Sequence, residues 1–204
     1  MFQKIKKMSN TDFCDVTRAA ELLEDYDRSW AICGGWAIDL YLGRVTRPHK
    51  DVDFFIPRRD QLVVQEYLSS RGWTLEKAIK GQLIPWQTGE WINLPIHTIW
   101  CKNPKATPDF VELLFDEVDH LNFQFRRDVS ITLPVEKTII MSESGVAILA
   151  PEIVMLYKSN NAEEPAYAAD FKNILPKLSS EGRHWFAAAL KKLDADHVWL
   201  GYLH

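Results

Sequence analysis

The stretch GGWAIDLYLGRVTRPHKDVDFFI, residues 34–56, contains the pattern that decides the fold. A short apolar run precedes its glycine pair, and apolar residues at helical spacing follow the pair until Gly43. This order predicts a strand, a glycine turn and a short helix. After a basic loop, the β-branched and aromatic run from Asp51 to Ile56 is closed by Pro57, which predicts a second strand.

Outside this stretch the same two periodicities predict further helices and strands. Apolar residues at helical spacing predict a helix before it, over 16–26, and another after it, over 62–68. Five prolines and a glycine between residues 82 and 141 separate short apolar runs, which predict several antiparallel strands, at 95–101, 110–115, 122–125 and 136–141. From Pro151 onward the spacing is helical again.

The predicted fold class is therefore α/β, in the broad α+β sense. A mixed sheet flanked by helices is expected over residues 1–149, and a helical C-terminal region over residues 150–204. With 204 residues, of which 47% are apolar and 25% charged, the chain is long enough to bury a core of this size.

Charge and cysteine usage limit the partners and the compartment. The formal net charge of −4 argues against the broad positive field that duplex nucleic acid binding needs, and favours a small or nucleotide-like partner. Cys14, Cys33 and Cys101 are spaced singly, so we expect reduced, buried thiols in a cytoplasmic protein. No apolar run approaches the length of a membrane span, and no membrane association is expected.

Asp51 and Asp53 are the first candidates for chemistry. On a strand their side chains share one face, with Cα atoms roughly 6.6 Å apart at about 3.3 Å per residue. Mg²⁺ prefers oxygen ligands, and one or two carboxylates together with substrate phosphates are a typical set. The alternative is a charged strand end that faces water.

The glycine pair Gly34-Gly35 lies between a predicted strand and a predicted helix. Without Cβ atoms, its backbone N–H groups and the helix dipole can approach phosphate oxygens. The pair does not match the longer phosphate-loop signature that ends in Gly-Lys-Ser/Thr, and an ordinary tight turn is the alternative.

A third acid is expected from the run FVELLF, residues 110–115, where Glu112 stands among apolar residues. A charge buried there needs a cation or a partner, since an unpaired one costs several kcal/mol, on the order of 3–5. Glu112 is therefore the preferred third metal ligand or general base. Asp116 is a second candidate, and a salt bridge from Glu112 to Arg126 or Arg127 is the structural alternative.

Taken together, the segment 34–56 resembles the signature of the DNA polymerase β-like nucleotidyltransferases, and within them the aminoglycoside and lincosamide branch. The resemblance is strong over residues 30–57 and looser over 95–130 and 150–175. It implies that Asp51 and Asp53 bind Mg²⁺, that Glu112 completes the site, and that Gly34 and Gly35 contact phosphate. The helix APEIVMLYKSN, with a later acid at Asp170, also resembles that family and implies that Lys158 reaches the triphosphate.

Weaker candidates surround these residues. The basic loop contains four residues that could neutralise phosphate charge, with Arg44 and Lys50 assigned to nucleotide binding: Arg44, Arg47, His49 and Lys50. Surface solubility explains them equally well. His97 is interpreted as a core or edge histidine rather than a cleft residue. Four tryptophans are candidates for stacking on a base or sugar, with core packing as the default: Trp36, Trp86, Trp91 and Trp100.

The resemblance implies a transfer of a nucleoside monophosphate from a nucleoside triphosphate, with ATP expected, to a hydroxyl of a small acceptor, using one or two Mg²⁺ ions. The acceptor expected is an antibiotic of the aminoglycoside or lincosamide kind. An acidic cleft would favour a cationic aminoglycoside, and five acids are candidates for it: Glu90, Asp109, Asp116, Glu117 and Asp119. The alternatives are a toxin-like enzyme acting on tRNA or protein, and a non-catalytic nucleotide-binding module. The oligomeric state is left open.

Overall fold

A computed structural model describes residues 13–203 of the chain. It contains ten strands: β1 (Ala31–Ile32), β2 (Asp53–Pro57), β3 (Thr74–Ile79), β4 (Gln82–Pro85), β5 (Thr98–Lys102), β6 (Phe110–Val118), β7 (Asn122–Gln124), β8 (Thr132–Pro134), β9 (Ile139–Met141) and β10 (Ala147–Leu149). The α-helices of the described part are α1 (Cys14–Glu21), α2 (Gly34–Leu42), α3 (Gln61–Ser69), α4 (Val135–Thr138), α5 (Pro151–Lys158), α6 (Pro165–Ile174) and α7 (Ser180–Leu193).

The strands form one mixed sheet in the order β4-β3-β5-β6-β2-β1-β10-β9, to which β7 and β8 are attached through β6. Two neighbouring pairs are parallel, β2 with β6 and β1 with β10, and the remaining pairs are antiparallel. The predicted mixed sheet flanked by helices, with helices at the C-terminal end, is therefore confirmed.

The segment 34–56 folds as its sequence predicts, with one shift. Helix α2 begins at the glycine pair and ends at Gly43, whose φ of 69° gives the left-handed cap that stops the helix. Strand β2 begins at Asp53, two residues later than predicted, so Asp51 lies just before the strand. The Glu112 N–H still donates to the Val52 carbonyl at 3.0 Å, and this bond holds the approach to β2 beside β6.

Other predicted boundaries are corrected in a similar way. Residues 135–138 form the short helix α4 where a strand was predicted, and only residues 139–141 are extended. The Thr138 hydroxyl donates to the Pro134 carbonyl at 3.2 Å, a local bond that favours the turn over the strand. Helix α1 also ends earlier than predicted, at Glu21, although Leu23 and Tyr26 beyond it are buried.

The apolar core joins the sheet to the C-terminal helices. Phe54, Phe55 and Phe115 from the central strands are almost completely buried, as is Phe186 of α7. Helices α5 and α6 contact α2, so the C-terminal region lies beside the glycine turn. None of the helices within residues 13–203 is long and apolar enough to cross a membrane. Cys33 and Cys101 are buried free thiols as expected, whereas Cys14 is exposed.

Candidate active site

The register between β2 and β6 places two of the predicted acids side by side. Asp53 is paired with Glu112 in a parallel ladder, so the two side chains project from the same face of the sheet. Adjacent strands lie about 4.8 Å apart, which brings the two carboxylates into the same local environment. Asp51 lines the same cavity as Asp53. We call Asp51, Asp53 and Glu112 the acid cluster.

Repulsion and burial both act on the acid cluster. Burial, followed by the charge of Asp51, raises the pKa of Asp53 to about 6. Burial, followed by the charges of Asp53 and Asp51, raises the pKa of Glu112 to about 7. Within residues 13–203 neither carboxylate accepts a side-chain hydrogen bond or forms an ion pair; Lys158 and His49 lower the pKa of Asp53 from a longer distance.

Asp116, the other candidate third acid, is satisfied within the protein. It is buried, and its carboxylate accepts hydrogen bonds from the Tyr157 hydroxyl and, at 3.4 Å, from Arg126. Burial is the largest cause that raises its pKa to about 6. The Arg126 ion pair expected as an alternative for Glu112 is thus formed by Asp116, which leaves Glu112 beside Asp53.

The glycine turn lies directly against the acids. Gly34 has a φ of 64°, and a Cβ built on it would overlap the carboxylate of Asp53. A Cβ on Gly35 would overlap the side chains of His49 and Arg47. The Cys33 N–H donates to the Asp53 carbonyl at 2.8 Å and fixes the turn to the start of β2. The pair therefore permits a close approach that no other residue type allows.

A buried carboxylate on α6 organises the cations on one side of the site. Asp170 accepts two hydrogen bonds from Arg47, at 3.0 Å from Nε and 2.9 Å from Nη2. Lys158 Nζ lies 3.0 Å from the same carboxylate. We call these three residues the Asp170 network. Arg47 and Lys158 both line the cavity that contains Asp53.

A second buried carboxylate, Asp39 of α2, holds the basic loop. It lies 2.6 Å from His49 Nε2 and accepts the Thr46 N–H at 3.1 Å. The His49 ring packs on Trp36 at 4.4 Å between centroids. Sequence reasoning assigned Asp39 no role, although an acid in the middle of an apolar helix is a signal that it has a buried partner.

A cavity of about 670 Å³ joins these parts. The polar residues and glycines that line it are Gly34, Gly35, Arg47, His49, Lys50, Asp51, Asp53, Asp116, Arg126, Arg127, Tyr157, Lys158, Glu164 and Tyr167. Of the predicted site residues, Arg44 is exposed and does not line the cavity, and Glu112 lies next to Asp53 without lining it. His97, whose ring donates to the Pro95 carbonyl, does not line it, and neither do the four candidate tryptophans.

The acid cluster fits a Mg²⁺ ion that takes only some of its ligands from the protein and the others from bound substrate or water. Within residues 13–203 no three His, Cys, Asp or Glu side chains are arranged closely enough to hold an ion alone. Mg²⁺ normally takes one or two carboxylates and keeps water or phosphate oxygens as its other ligands. Asp51 and Asp53 offer that set next to a glycine turn suited to phosphate.

Comparisons with known proteins identify the fold. Residues 15–104, a little under half of the chain, match the model of the aminoglycoside-2''-adenylyltransferase family. A solution structure of the antibiotic-resistance factor ANT(2'')-Ia is similar with a TM-score of 0.58 and 15% identity, covering 97% of this chain and 100% of that one. A comparison with curated protein sequences found no match.

Two further solved structures are similar. ANT(2'')-Ia in complex with adenylyl-2''-tobramycin has a TM-score of 0.57 and 13% identity, with 90% of this chain and 99% of that one covered. The lincosamide antibiotic adenylyltransferase LnuA, lincomycin-bound, has a TM-score of 0.55 and 13% identity over 78% of this chain and 94% of that one. These matches confirm the nucleotidyltransferase fold and the resemblance to the aminoglycoside and lincosamide branch.

Proposed function

We propose that this chain, a homologue of the aminoglycoside and lincosamide nucleotidyltransferases, is a Mg²⁺-dependent enzyme that transfers the nucleoside monophosphate of ATP to a hydroxyl of a small acceptor. One observation carries the proposal: two acids, Asp51 and Asp53, line a cavity of about 670 Å³ against a glycine turn, with Glu112 in register beside them.

In this proposal the acid cluster holds one or two Mg²⁺ ions, with Asp51 and Asp53 as the main ligands and Glu112 beside them. Bound Mg²⁺ would neutralise the charge that develops on the phosphates during transfer. Carboxylates that repel one another in a half-buried site gain most from a cation, which is the reason that the raised pKa values of Asp53 and Glu112 support this assignment.

The glycine turn and the cations bind the triphosphate. Gly34 and Gly35 line the cavity at the N-terminus of α2, and a helix N-terminus favours phosphate oxygens. Arg47 and Lys158 are held in place by Asp170, so they present positive charge without a large loss of side-chain entropy on binding. Lys50, which is exposed and lines the cavity, adds a further charge. Arg44 does not line the cavity, so we assign it no contact with the triphosphate.

Glu112 is the proposed general base. Its pKa of about 7 lies near neutral pH, where a base is most effective. It takes the proton of the acceptor hydroxyl as that oxygen forms a bond to the α-phosphorus. The bond between the α-phosphorus and the bridging oxygen breaks, and pyrophosphate leaves with the bonding electron pair. The products are the nucleotidylated acceptor and pyrophosphate.

The acceptor class follows from the relatives. ANT(2'')-Ia was solved with adenylyl-2''-tobramycin and LnuA with lincomycin, and both compounds are small hydroxylated antibiotics. A small acceptor also suits the net charge of −4, which does not favour duplex nucleic acid.

Mass spectrometry of acceptors incubated with the full chain, ATP and Mg²⁺ tests the proposal, together with pyrophosphate release. We expect one acceptor to gain a nucleoside monophosphate, and Asp53→Asn to abolish the gain. The control is Asp109→Asn, which makes the same change at an exposed acid away from the cavity, and it should retain activity.

Three outcomes would contradict the proposal. Normal turnover by Asp53→Asn would exclude the acid cluster as the catalytic centre. Binding of ATP without pyrophosphate release across a broad acceptor panel would favour a non-catalytic module. Incorporation of label from ATP into tRNA or protein, with no small acceptor modified, would favour the toxin-like alternative.

A further inference from the structure

The five acids considered for an acidic acceptor cleft do not form one; the other carboxylates that line the cavity are Asp51 and Asp53 of the acid cluster and the exposed Glu164. Of the five acids considered for such a cleft, only Asp116 lines the cavity. Its carboxylate is already used by Tyr157 and Arg126. The other four are engaged or exposed elsewhere: Glu90 pairs with Lys77, Glu117 pairs with Arg58, Asp119 accepts the backbone N–H groups of Leu121 and Asn122, and Asp109 is exposed.

Two adjacent arginines line the cavity together with Asp116. Arg126 and Arg127, the arginine pair, both line it, on the segment that follows β7. Arg127 donates to the Tyr157 carbonyl at 2.9 Å, and within residues 13–203 it has no carboxylate partner. Burial, followed by the charge of Arg126, lowers the pKa of Arg127, and the charge of Asp116 offsets part of this effect.

Arg126 contacts β6 further along the strand than the acid cluster, and Arg127 contacts the carbonyl of Tyr157 on α5. Glu112, Leu114 and Asp116 share one face of β6, so Asp116 and its partner Arg126 lie roughly 13 Å further along the strand than Glu112, at about 3.3 Å per residue. The triphosphate has its own cations, Arg47 and Lys158, beside the glycine turn. An acceptor hydroxyl placed at Glu112 would extend its remaining atoms toward Arg126 and Arg127.

We propose that Arg126 and Arg127 select an acceptor that carries an anionic group, a carboxylate or a phosphate, at a distance from its reacting hydroxyl, and that they exclude polycationic acceptors of the tobramycin kind. A guanidinium presents a planar fork of N–H donors that matches both anions. An ammonium group in the same place would face the like charge of Arg127, which has no carboxylate partner within residues 13–203, beside the Arg126–Asp116 pair. This inference rests on the proposed nucleotidyl transfer and narrows its acceptor.

Matched acceptors test the inference. Sets of hydroxylated sugars and cyclitols, each in a carboxylate, a phosphate, a neutral and an amine form, are assayed with tobramycin for ATP-dependent pyrophosphate release by the full chain in Mg²⁺. We expect the anionic forms to give kcat/KM values at least tenfold above those of the amine forms, and tobramycin to remain at background. The carboxylate and phosphate arms show which anion is preferred.

Variants of Arg127 separate charge from packing. Arg127→Ala should raise the KM of the anionic acceptor at least tenfold while the KM of ATP changes less than twofold. Arg127→Lys, which keeps the charge, should recover part of the loss, and Arg127→Glu should shift the preference toward amine forms. Arg71→Ala, which removes an exposed arginine remote from the cavity, is the control and should match the unmodified chain.

The possible results distinguish this inference from the function on which it rests. Efficient transfer to tobramycin, or an anion preference that persists in Arg127→Ala, overturns the role of the arginine pair and leaves nucleotidyl transfer intact. An increase in the KM of ATP in Arg127→Ala equal to that of the acceptor also overturns it, because Arg127 would then bind the triphosphate. Absence of pyrophosphate release with every acceptor, while ATP still binds, counts against the proposed transfer itself.

Discussion

Asp51 and Asp53 of the acid cluster line the same cavity as Arg47 and Lys158 of the Asp170 network, yet the carboxylates of the two groups differ in how their charge is compensated. Asp53 and Glu112 stand side by side with no contacting cation among residues 13–203, and their pKa values are raised. Asp170 is completely buried and binds two cations within 3.0 Å. The comparison indicates that the protein leaves negative charge uncompensated where a metal is expected, and fixes positive charge where phosphate is expected.

The largest effect is expected when the acid cluster loses one charge. Asp53→Asn should lower kcat by at least about 10³-fold, about 4 kcal/mol in the barrier, since a metal ligand next to the reacting phosphate is removed. Folding stability at pH 8 should not fall, because the charged form of Asp53 is disfavoured in the folded state. Steady-state kinetics and urea unfolding measure the two quantities.

If Asp53→Asn lost both activity and folding stability, the acid cluster would no longer differ from the Asp170 network in how its charge is compensated. It would mean that Asp53 is a structural acid with a partner of its own. Asp109→Asn is the control here also, with both quantities expected to stay unchanged.

The second effect is expected from a change in the Asp170 network, and it includes a loss of folding stability, which Asp53→Asn should not show. Asp170→Asn leaves the two cations without their carboxylate and should reduce the free energy of unfolding by about 3 kcal/mol, as expected when one partner of a buried ion pair is lost. The KM of ATP should rise, because Arg47 and Lys158 lose their fixed positions. Chemical unfolding and ATP titration measure these changes.

The pair of Glu76 and Lys102 supplies the control for this variant. Their ion pair, at 2.8 Å, is partly exposed, and Glu76→Gln should change stability by less than about 1 kcal/mol. A similarly small effect of Asp170→Asn would show that the network does not stabilise the fold.

The two regions also differ in how far the sequence predicts them. The acids and the glycine turn follow from local patterns, because strand periodicity and two glycines within 20 residues of Asp53 are visible without any tertiary contact. The pairing of Arg47 with Asp170 spans 123 residues, and no local pattern relates the two. The hydrogen bond from Tyr157 to Asp116 is likewise a tertiary contact that no local pattern predicts. The ion pair between Arg126 and Asp116 shows that Arg126 does not pair with Glu112, an alternative that the sequence left open.

A third, smaller effect tests how closely the turn fits the acids. Gly34→Ala combines a left-handed backbone, with a φ of 64°, and a Cβ that overlaps the Asp53 carboxylate. Gly89→Ala has a similar φ of 74° with no atom within 4 Å, so it isolates the backbone cost of about 1–2 kcal/mol. Gly34→Ala should lose about twice as much stability as Gly89→Ala. Its kcat/KM should fall roughly 10²-fold, which corresponds to about 3 kcal/mol in the barrier. Equal behaviour of the two variants would mean that the turn does not position Asp53.

The smallest effect is the increase in thermal stability that Mg²⁺ should cause at the acid cluster, and it should depend on pH. Asp53 and Glu112 have pKa values of about 6 and 7 in the folded chain, above the roughly 4 expected when unfolded, so the folded state holds their protons more tightly and loses stability as pH rises from 4 to 7. Mg²⁺ needs the ionised carboxylates. Saturating Mg²⁺ should therefore raise the Tm by about 2–4 °C at pH 8, equivalent to about 1 kcal/mol, and much less at pH 5.

Asp53→Asn should lose this difference, whereas Asp170→Asn should keep it, because the Asp170 carboxylate binds cations of the protein rather than the metal. A Tm increase that is equal at both pH values would mean that Mg²⁺ binds somewhere other than the acid cluster.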